Sequence, residues 1–158
     1  MNALLGEYYD LMILRLEAMG GSVPGGAEAA LQEFWEEIDL FLPPKGRLYV
    51  ARNANGDLIG CGSLKTIDVG AGELKRLYVK PEARGSGLGR HLVELRIQAA
   101  REMGLSRMLV DSLKANVEMR GLYAKLGFEE IEFYPESTTY RMMPELRPFM
   151  CFFSIDLQ

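Results

Sequence analysis

Histidine and cysteine are scarce in this chain of 158 residues: there is one histidine, His91, and two cysteines, Cys61 and Cys151. Two cysteines cannot supply the disulfide framework of a small secreted domain. Each lies in a strand-like apolar run, so both read as reduced, buried thiols of a cytoplasmic protein. With the lone histidine they form no metal-ligand spacing, and one histidine leaves no acid–base partner set for a serine hydrolase. An excess of positive charge is also missing. Lys and Arg number 18 against 22 Asp and Glu, a net charge of −4, and the basic residues are scattered, which argues against a nucleic-acid partner. No apolar run reaches the ~18 residues of a membrane span, and the start of the chain lacks the basic-then-apolar pattern of a secretory signal. What is present suits a soluble globular domain: 48% hydrophobic and 25% charged residues, with a length that fits a single domain, 1–158.

The hydrophobic period changes along the chain. Residues 2–19 place Leu4, Leu5, Tyr8, Leu11, Met12 and Leu16 at helical spacing, and "GGSVPGG" (20–26) breaks the pattern. A second helix follows over 27–42, with Leu31, Phe34, Trp35 and Ile38 on one face. Then "RLYVARN" and "DLIGCGSLKTID" alternate as strands around the turn signal "NANGD", and "GELKRLYV" makes a third strand. A long helix runs from Gly87 to about Met103, with Leu88, Leu92, Leu95 and Ala99 inward. "SRMLVDS" is a strand, "VEMRGLYAKLG" a helix capped by Gly127, and "FEEIEFY" and "MCFFSIDL" are closing strands. This order predicts a mixed α/β domain with one twisted sheet.

The densest glycine pattern is "ARGSGLGRHL" (83–92). A P-loop is excluded because Gly89 precedes Arg90 and His91 rather than Lys and a hydroxyl residue. A dinucleotide fingerprint is excluded because its third glycine would fall on Arg90. A nucleophile elbow is excluded because Ser86 has Arg84 and Leu88, not glycines, at the flanking positions. The generic physics remains. A strand leads into a loop that opens a helix, the first N–H groups point outward, and Gly85, Gly87 and Gly89 keep Cβ atoms out of the way of an anion, with Arg84 and Arg90 adding charge. A plain glycine-rich turn is the alternative.

The longer stretch "LKRLYVKPEARGSGLGRHLVELRIQAARE" resembles the central motif of the GNAT superfamily of N-acetyltransferases, a strand followed by Gln/Arg-x-x-Gly-x-Gly/Ala and a helix, met here by Arg84, Gly87 and Gly89. "NVEMRGLYAKLGFEEI" resembles the second motif of that family through Asn116, Leu122, Tyr123, Leu126, Gly127 and Phe128. The resemblance covers roughly residues 47–157. It implies a GNAT acyl-CoA N-acyltransferase fold, a twisted mixed sheet of six to seven strands flanked by about four helices. The family's usual first strand is not evident, so about six strands are expected. Acetyl-CoA is the implied co-substrate, with no metal. Leu77, Tyr78 and Val79 would offer backbone groups to its pantetheine arm. Arg84, Gly85, Ser86, Gly87, Leu88, Gly89 and Arg90 would bind its pyrophosphate. The strands carrying Glu73 and Asp111 would splay around the thioester.

Acyl transfer to an amine needs a neutral amine, a polarised carbonyl and a proton for the leaving thiolate. Tyr123 matches the family tyrosine that protonates the thiolate; packing between helix and sheet is its alternative. Glu73, 11 residues before the motif arginine, stands at the spacing of the catalytic glutamate in the histone-acetylating branch of the family, many of whose members have no single essential base, and would need a pKa raised by partial burial, or a water relay, to act as base; a solvated strand-end glutamate is the alternative. Asp111 is a second base candidate or a turn residue. Asn116 would contact the cofactor or orient the tyrosine, or cap its helix. A backbone N–H near Val79 would meet the oxyanion. Cys61 has no activating neighbour in sequence, and His91 reads as a surface or packing residue. The expected activity is direct acetyl transfer to a primary amine of a small molecule or peptide in a ternary complex. An acyl-CoA-binding sensor that has lost transfer is the alternative. The acceptor pocket is expected between the first two helices, the 20–26 loop and "PESTTYRMMPELRP". "MMPELRPFMCFF" is apolar enough to suggest a homodimer contact.

Overall fold

In a strand, side chains alternate between faces, so the parity of apolar positions assigns each to a layer. The computed structural model describes residues 1–158. Its strands are β1 (Gly46–Arg52), β2 (Leu58–Asp68), β3 (Ala71–Val79), β4 (Arg107–Leu113), β5 (Glu129–Ile131) and β6 (Met150–Asp156), in one sheet ordered β1-β2-β3-β4-β6-β5. Every neighbouring pair is antiparallel except β3 with β4. That parallel pair requires a crossover, which helix α3 supplies (Leu88–Glu102). The other helices are α1 (Asn2–Ala18), α2 (Gly26–Glu36), α4 (Val117–Lys125) and α5 (Thr138–Met142). No helix is long and apolar enough to cross a membrane.

The sheet lies between two helical layers. Met108 and Val110 of β4, with Cys151 and Phe153 of β6, pack with Val93, Ile97 and Ala100 of α3 and Tyr123 of α4. Their alternate neighbours Leu109, Met150 and Phe152 pack with Leu16 of α1. Further along that face, Leu4 and Leu5 of α1 meet Phe34 of α2, Phe41, Cys61 and Tyr78. Both cysteines are free and buried, and burial pushes each thiol up to about 11. Both thiols are protonated at neutral pH at that value.

Several expectations are corrected. Trp35 is 43% exposed rather than in the core, because α2 stops at Glu36 and the chain tightens into a 3-10 turn over Ile38–Phe41. The indole N–H of Trp35 instead donates to Asn2 Oδ1 at 2.8 Å. The strand expected over 128–134 pairs only through Glu129–Ile131. The segment "PESTTYRMMPELRP", in which the sequence shows no element, contains α5, whose N-cap Ser137 accepts a hydrogen bond from the Tyr140 N–H, and leads into a 3-10 helix over Pro144–Phe149. Of the stretch "MMPELRPFMCFF", Leu146, Met150, Cys151, Phe152 and Phe153 are buried in the chain's own core, while Met142 is 45% exposed.

The inner face of α3 also differs from the expected one. Leu88 and Leu95 are only partly buried, while Arg96 is fully buried. The Arg96 guanidinium donates from Nε to Leu92 O (2.9 Å) and from Nη1 to Ser63 O (3.1 Å) and Lys75 O (3.3 Å). Gly62 makes the room: a Cβ there would stand 2.9 Å from Arg96 Cζ.

Candidate active site

The pairing of β3 with β4 runs from Ala71↔Arg107 to Leu74↔Val110 and stops. On its other side β3 carries a bulge. Tyr78 faces Cys61 and Lys75 faces Ser63, so Arg76 and Leu77 together oppose Gly62. The extra residue flips the parity of the strand. Leu74 and Leu77 both pack towards the α3 layer, and Tyr78 turns to the other. Arg76, inside the bulge, has φ +53°, the one non-glycine residue of the chain in the left-handed region. The result is a wedge between the two strands, occupied by a cavity of about 540 Å³.

One end of the cavity is the glycine loop. Gly85 (φ +79°) and Gly87 (φ +85°) adopt left-handed backbone, which explains glycine at both positions. Gly89 has no such need, since a Cβ there would make ordinary contacts at 3.8 Å and 3.9 Å with Val79 and Leu122. The first backbone N–H of this stretch to find a carbonyl is that of His91, bonded to Gly87 O; the six from Gly85 to Arg90 have no acceptor within the protein. Six open N–H groups at a helix start form an anion site of the kind expected from the sequence. Arg84 is tied by Nε to Val79 O (3.0 Å), and Arg90 pairs with Glu94 at 2.7 Å. The Ser86 hydroxyl donates to Ala83 O (2.6 Å), and its side chain is not on the cavity wall. His91 is exposed.

The other expected residues divide clearly. Leu77, Tyr78 and Val79 line the cavity, as do Leu88, Asn116 and Tyr123. Asn116 occupies the N-cap position of α4 without capping it. Its Oδ1 accepts from Arg15 Nη1 (2.6 Å), and its Nδ2 donates to Ser112 Oγ (3.1 Å), tying α1 to the end of β4. Tyr123 is 3% exposed and packs on Phe128 and Phe153. Its hydroxyl is neither bonded within the protein nor enclosed by it. Burial pushes its phenol up to about 12, only partly offset by Arg96.

Glu73 is not brought to the cavity and is not solvated. Its carboxylate accepts hydrogen bonds from the Tyr134 hydroxyl (2.9 Å), the Thr138 N–H (3.0 Å) and the Thr138 hydroxyl (2.5 Å), with Lys75 Nζ at 3.9 Å. These three hydrogen bonds take three of the four lone-pair sites of the carboxylate. Asp111 is on the wall, but it is held by Lys75 Nζ at 3.0 Å and 3.2 Å and by Ser137 Oγ at 2.6 Å. Burial alone would lower the Lys75 pKa; Asp111 and Glu73 outweigh it and hold the ammonium above the ordinary lysine value. This network spans the wedge and docks α5 onto the sheet. Lys75, Arg76, Tyr134 and Thr138 were not singled out in the sequence, although two consecutive cations inside "ELKRLYV" signal charges that need partners within the fold.

The opposite wall of the cavity comes from Tyr9 and Met12 of α1, Val23, Glu33 of α2, and Thr139 and Met142 of α5. These are the segments from which an acceptor pocket was expected. Glu33 makes no ion pair, and burial, reinforced by Glu37, raises its carboxyl pKa.

Comparison with known proteins agrees with this architecture. The profile of the acetyltransferase (GNAT) family matches residues 10–128. An uncharacterised N-acetyltransferase of Schizosaccharomyces pombe is 40% identical over 93 residues, 58% of this chain and 57% of that protein. An IAA acetyltransferase of Azospirillum brasilense is 38% identical over 96 residues, 60% of this chain and 61% of that protein. The chain thus matches little more than half the length of these curated relatives. A GNAT-family acetyltransferase structure from Staphylococcus aureus superposes with a TM-score of 0.73 at 20% identity, covering 97% of this chain and 93% of that one. A Salmonella typhimurium structure described with its cofactor acetyl-CoA gives 0.65 at 21% identity, covering 99% and 88%. At those identities the structures speak for the fold, and the profile match, over most of the chain, speaks for kinship: this chain belongs to the acetyltransferase (GNAT) family.

Proposed function

We propose that the protein transfers the acetyl group of acetyl-CoA to a primary amine of a small molecule or peptide, by direct attack in a ternary complex. The observation that carries this reading is the run of six acceptor-less N–H groups, Gly85 to Arg90, at one end of a cavity that also holds the free hydroxyl of Tyr123. Such a run suits a pyrophosphate, and the parted β3 edge at Leu77–Val79 suits an extended pantetheine arm. The acetyl-CoA-bound relative of the same fold supports the choice of ligand. Two free, buried thiols suit a reducing compartment, and we place the protein in the cytoplasm.

In this reading the amine nitrogen attacks the thioester carbon, and the oxyanion is met by a backbone N–H of β3 near Val79. The C–S bond then breaks and the thiolate takes a proton. Tyr123, with its pKa near 12, keeps its proton throughout the neutral range and stands as donor to the leaving sulfur. Asp111 is the strand carboxylate on the cavity wall, and we assign it the ammonium proton. Glu73 acts as a positioning residue through Thr138 and Tyr134. The engagement of both carboxylates by neighbours favours one competing reading, a module that binds acyl-CoA without transfer.

Thiol release from acetyl-CoA with a panel of amines, beside calorimetric titration of acetyl-CoA, separates the two. Turnover is expected; tight binding with no turnover on any amine supports the sensor. Gly87→Glu is expected to abolish acetyl-CoA binding in folded protein, since it puts bulk and negative charge among the open N–H groups. Unchanged affinity in that variant sinks the loop assignment.

A further inference from the structure

Arg76 is the one cation on the cavity wall with a buried N–H that has no acceptor. Its backbone is in the left-handed region, an uncommon conformation for a side-chain-bearing residue, at the bulge that opens the wedge. Its guanidinium lies 5.0 Å from the Phe34 ring centroid and 4.6 Å from that of Phe41. Nε donates to the Tyr9 hydroxyl at 2.7 Å. Nη1 is buried and has no acceptor. Nη2 makes no hydrogen bond within the protein and is not enclosed by it. No carboxylate stands within ion-pairing distance, although Lys65, Lys75, Lys80 and Arg90 each have one. A partly buried cation held at strained backbone, with one buried N–H group unpartnered and no counter-ion, is an unfinished site. It lines the cavity on the side of α1 and α2, away from the glycine loop.

We propose that Arg76 receives a carboxylate of the acceptor, so that the substrate class is an amine that also bears a carboxylate, with an apolar remainder: an apolar amino acid. This rests on the transferase reading above. The planar guanidinium, oriented by Tyr9 and the two rings, presents its remaining N–H groups to the carboxylate. That fixes the acceptor by one end and leaves its amine to reach the thioester in the wedge between β3 and β4. Met12, Ile13, Met142 and Met143 of the same cavity provide apolar, adaptable surface for the side chain.

The test compares L-methionine and L-leucine with their carboxamides, which keep the amine and side chain but lose the negative charge. For the wild type, kcat/KM is expected to favour the acids by ~30-fold or more, the size of a desolvated charge pair. Arg76→Asn, a residue that tolerates left-handed backbone, is expected to bring the acid-to-amide ratio close to one, mainly through KM, with acetyl-CoA affinity unchanged. Arg76→Lys is expected to keep part of the preference. Equal use of acids and amides by the wild type, or a preference surviving in folded Arg76→Asn, overturns the proposal. If acetyl-CoA does not bind, the transferase reading fails, and titration of L-methionine into the free protein decides the Arg76 site alone. Binding lost in Arg76→Asn supports it, and absent or unaltered binding overturns it. If acetyl-CoA binds without turnover, the same titration of the acetyl-CoA-saturated protein decides in the same way.

Discussion

Replacing Glu73 by Gln separates a base from a brace. The substitution keeps the shape of the side chain and removes its charge and one acceptor oxygen. In the native structure that carboxylate satisfies the Tyr134 hydroxyl and two donors of Thr138, and it lies 3.9 Å from Lys75 Nζ. Hydrogen bonds to a charged group are worth about 1.5–3 kcal/mol and neutral ones about 1 kcal/mol, and a donor left facing an amide NH₂ costs about 1–3 kcal/mol more. The amide can still accept with one oxygen, so the net loss is roughly 2–4 kcal/mol. For a domain of this size that lowers the midpoint of thermal unfolding by roughly 5–15 °C. Differential scanning calorimetry reads the shift, and turnover is measured on protein kept well below the new midpoint. A positioning residue predicts a large loss of stability, a smaller loss of kcat, and an acid limb of the pH–rate profile that stays in place. A general base predicts the reverse: little change in midpoint, a loss of ~10²–10⁴ in kcat, and disappearance of the limb. The second pattern refutes the assignment of Glu73 to the α5 anchor.

Tyr123→Phe removes a hydroxyl that has no hydrogen-bond partner within the protein, so the midpoint of unfolding is expected to stay within ~2 °C of wild type, while kcat falls and acetyl-CoA affinity holds. Equal losses in both would make the tyrosine a packing or binding residue. Because its pKa is raised to about 12, the protonated donor persists as pH rises, and no alkaline loss of kcat below about pH 10 is expected from this group. Gly62→Ala is expected to destabilise by about 1–3 kcal/mol, since the new Cβ would press on the Arg96 guanidinium from 2.9 Å. Urea unfolding measures it, and an unchanged midpoint would mean that Arg96 can shift without loss of its three carbonyl partners.

Much of the fold could be read from the sequence because its signals are local. Alternation in "RLYVARN" and "GCGSLKTID", the turn at "NANGD" and the glycine after "LYAKL" each depend on a few neighbouring residues. The turn closes as expected, with Asn53 Oδ1 accepting from the N–H groups of Asn55 and Asp57. What escaped depends on distant partners. Arg96 is buried because Gly62, on another element, leaves space for it. The bulge at Arg76–Leu77 arises where β3 must pair with β2 and yet part from β4; "LKRLYV" itself reads as plain strand. Trp35 sits at a helical position that the inner-face pattern includes, but α2 ends one residue later and turns it outward. Ser137 was a legible N-cap signal for α5, hidden among prolines and polar residues that read as loop.

The same distinction explains why the two halves of the candidate site differ in how far sequence can take them. The glycine loop presents main-chain N–H groups, and main chain can be presented only where residue types permit left-handed turns, so Gly85 and Gly87 are written into the local sequence. The acceptor half is made of side chains brought together from α1, α2, β3 and α5. No spacing rule connects Tyr9, Glu33, Arg76 and Thr139 in sequence, and their chemistry emerges only from which charges find partners in the fold. Lys75 finds Asp111, and Glu73 finds Thr138 and Tyr134. Arg76 finds a hydroxyl and two aromatic faces, and no anion. In a cavity whose other strand charges are neutralised, that imbalance is the feature that distinguishes one amine from another, and an amine carrying its own carboxylate is the acceptor that removes it.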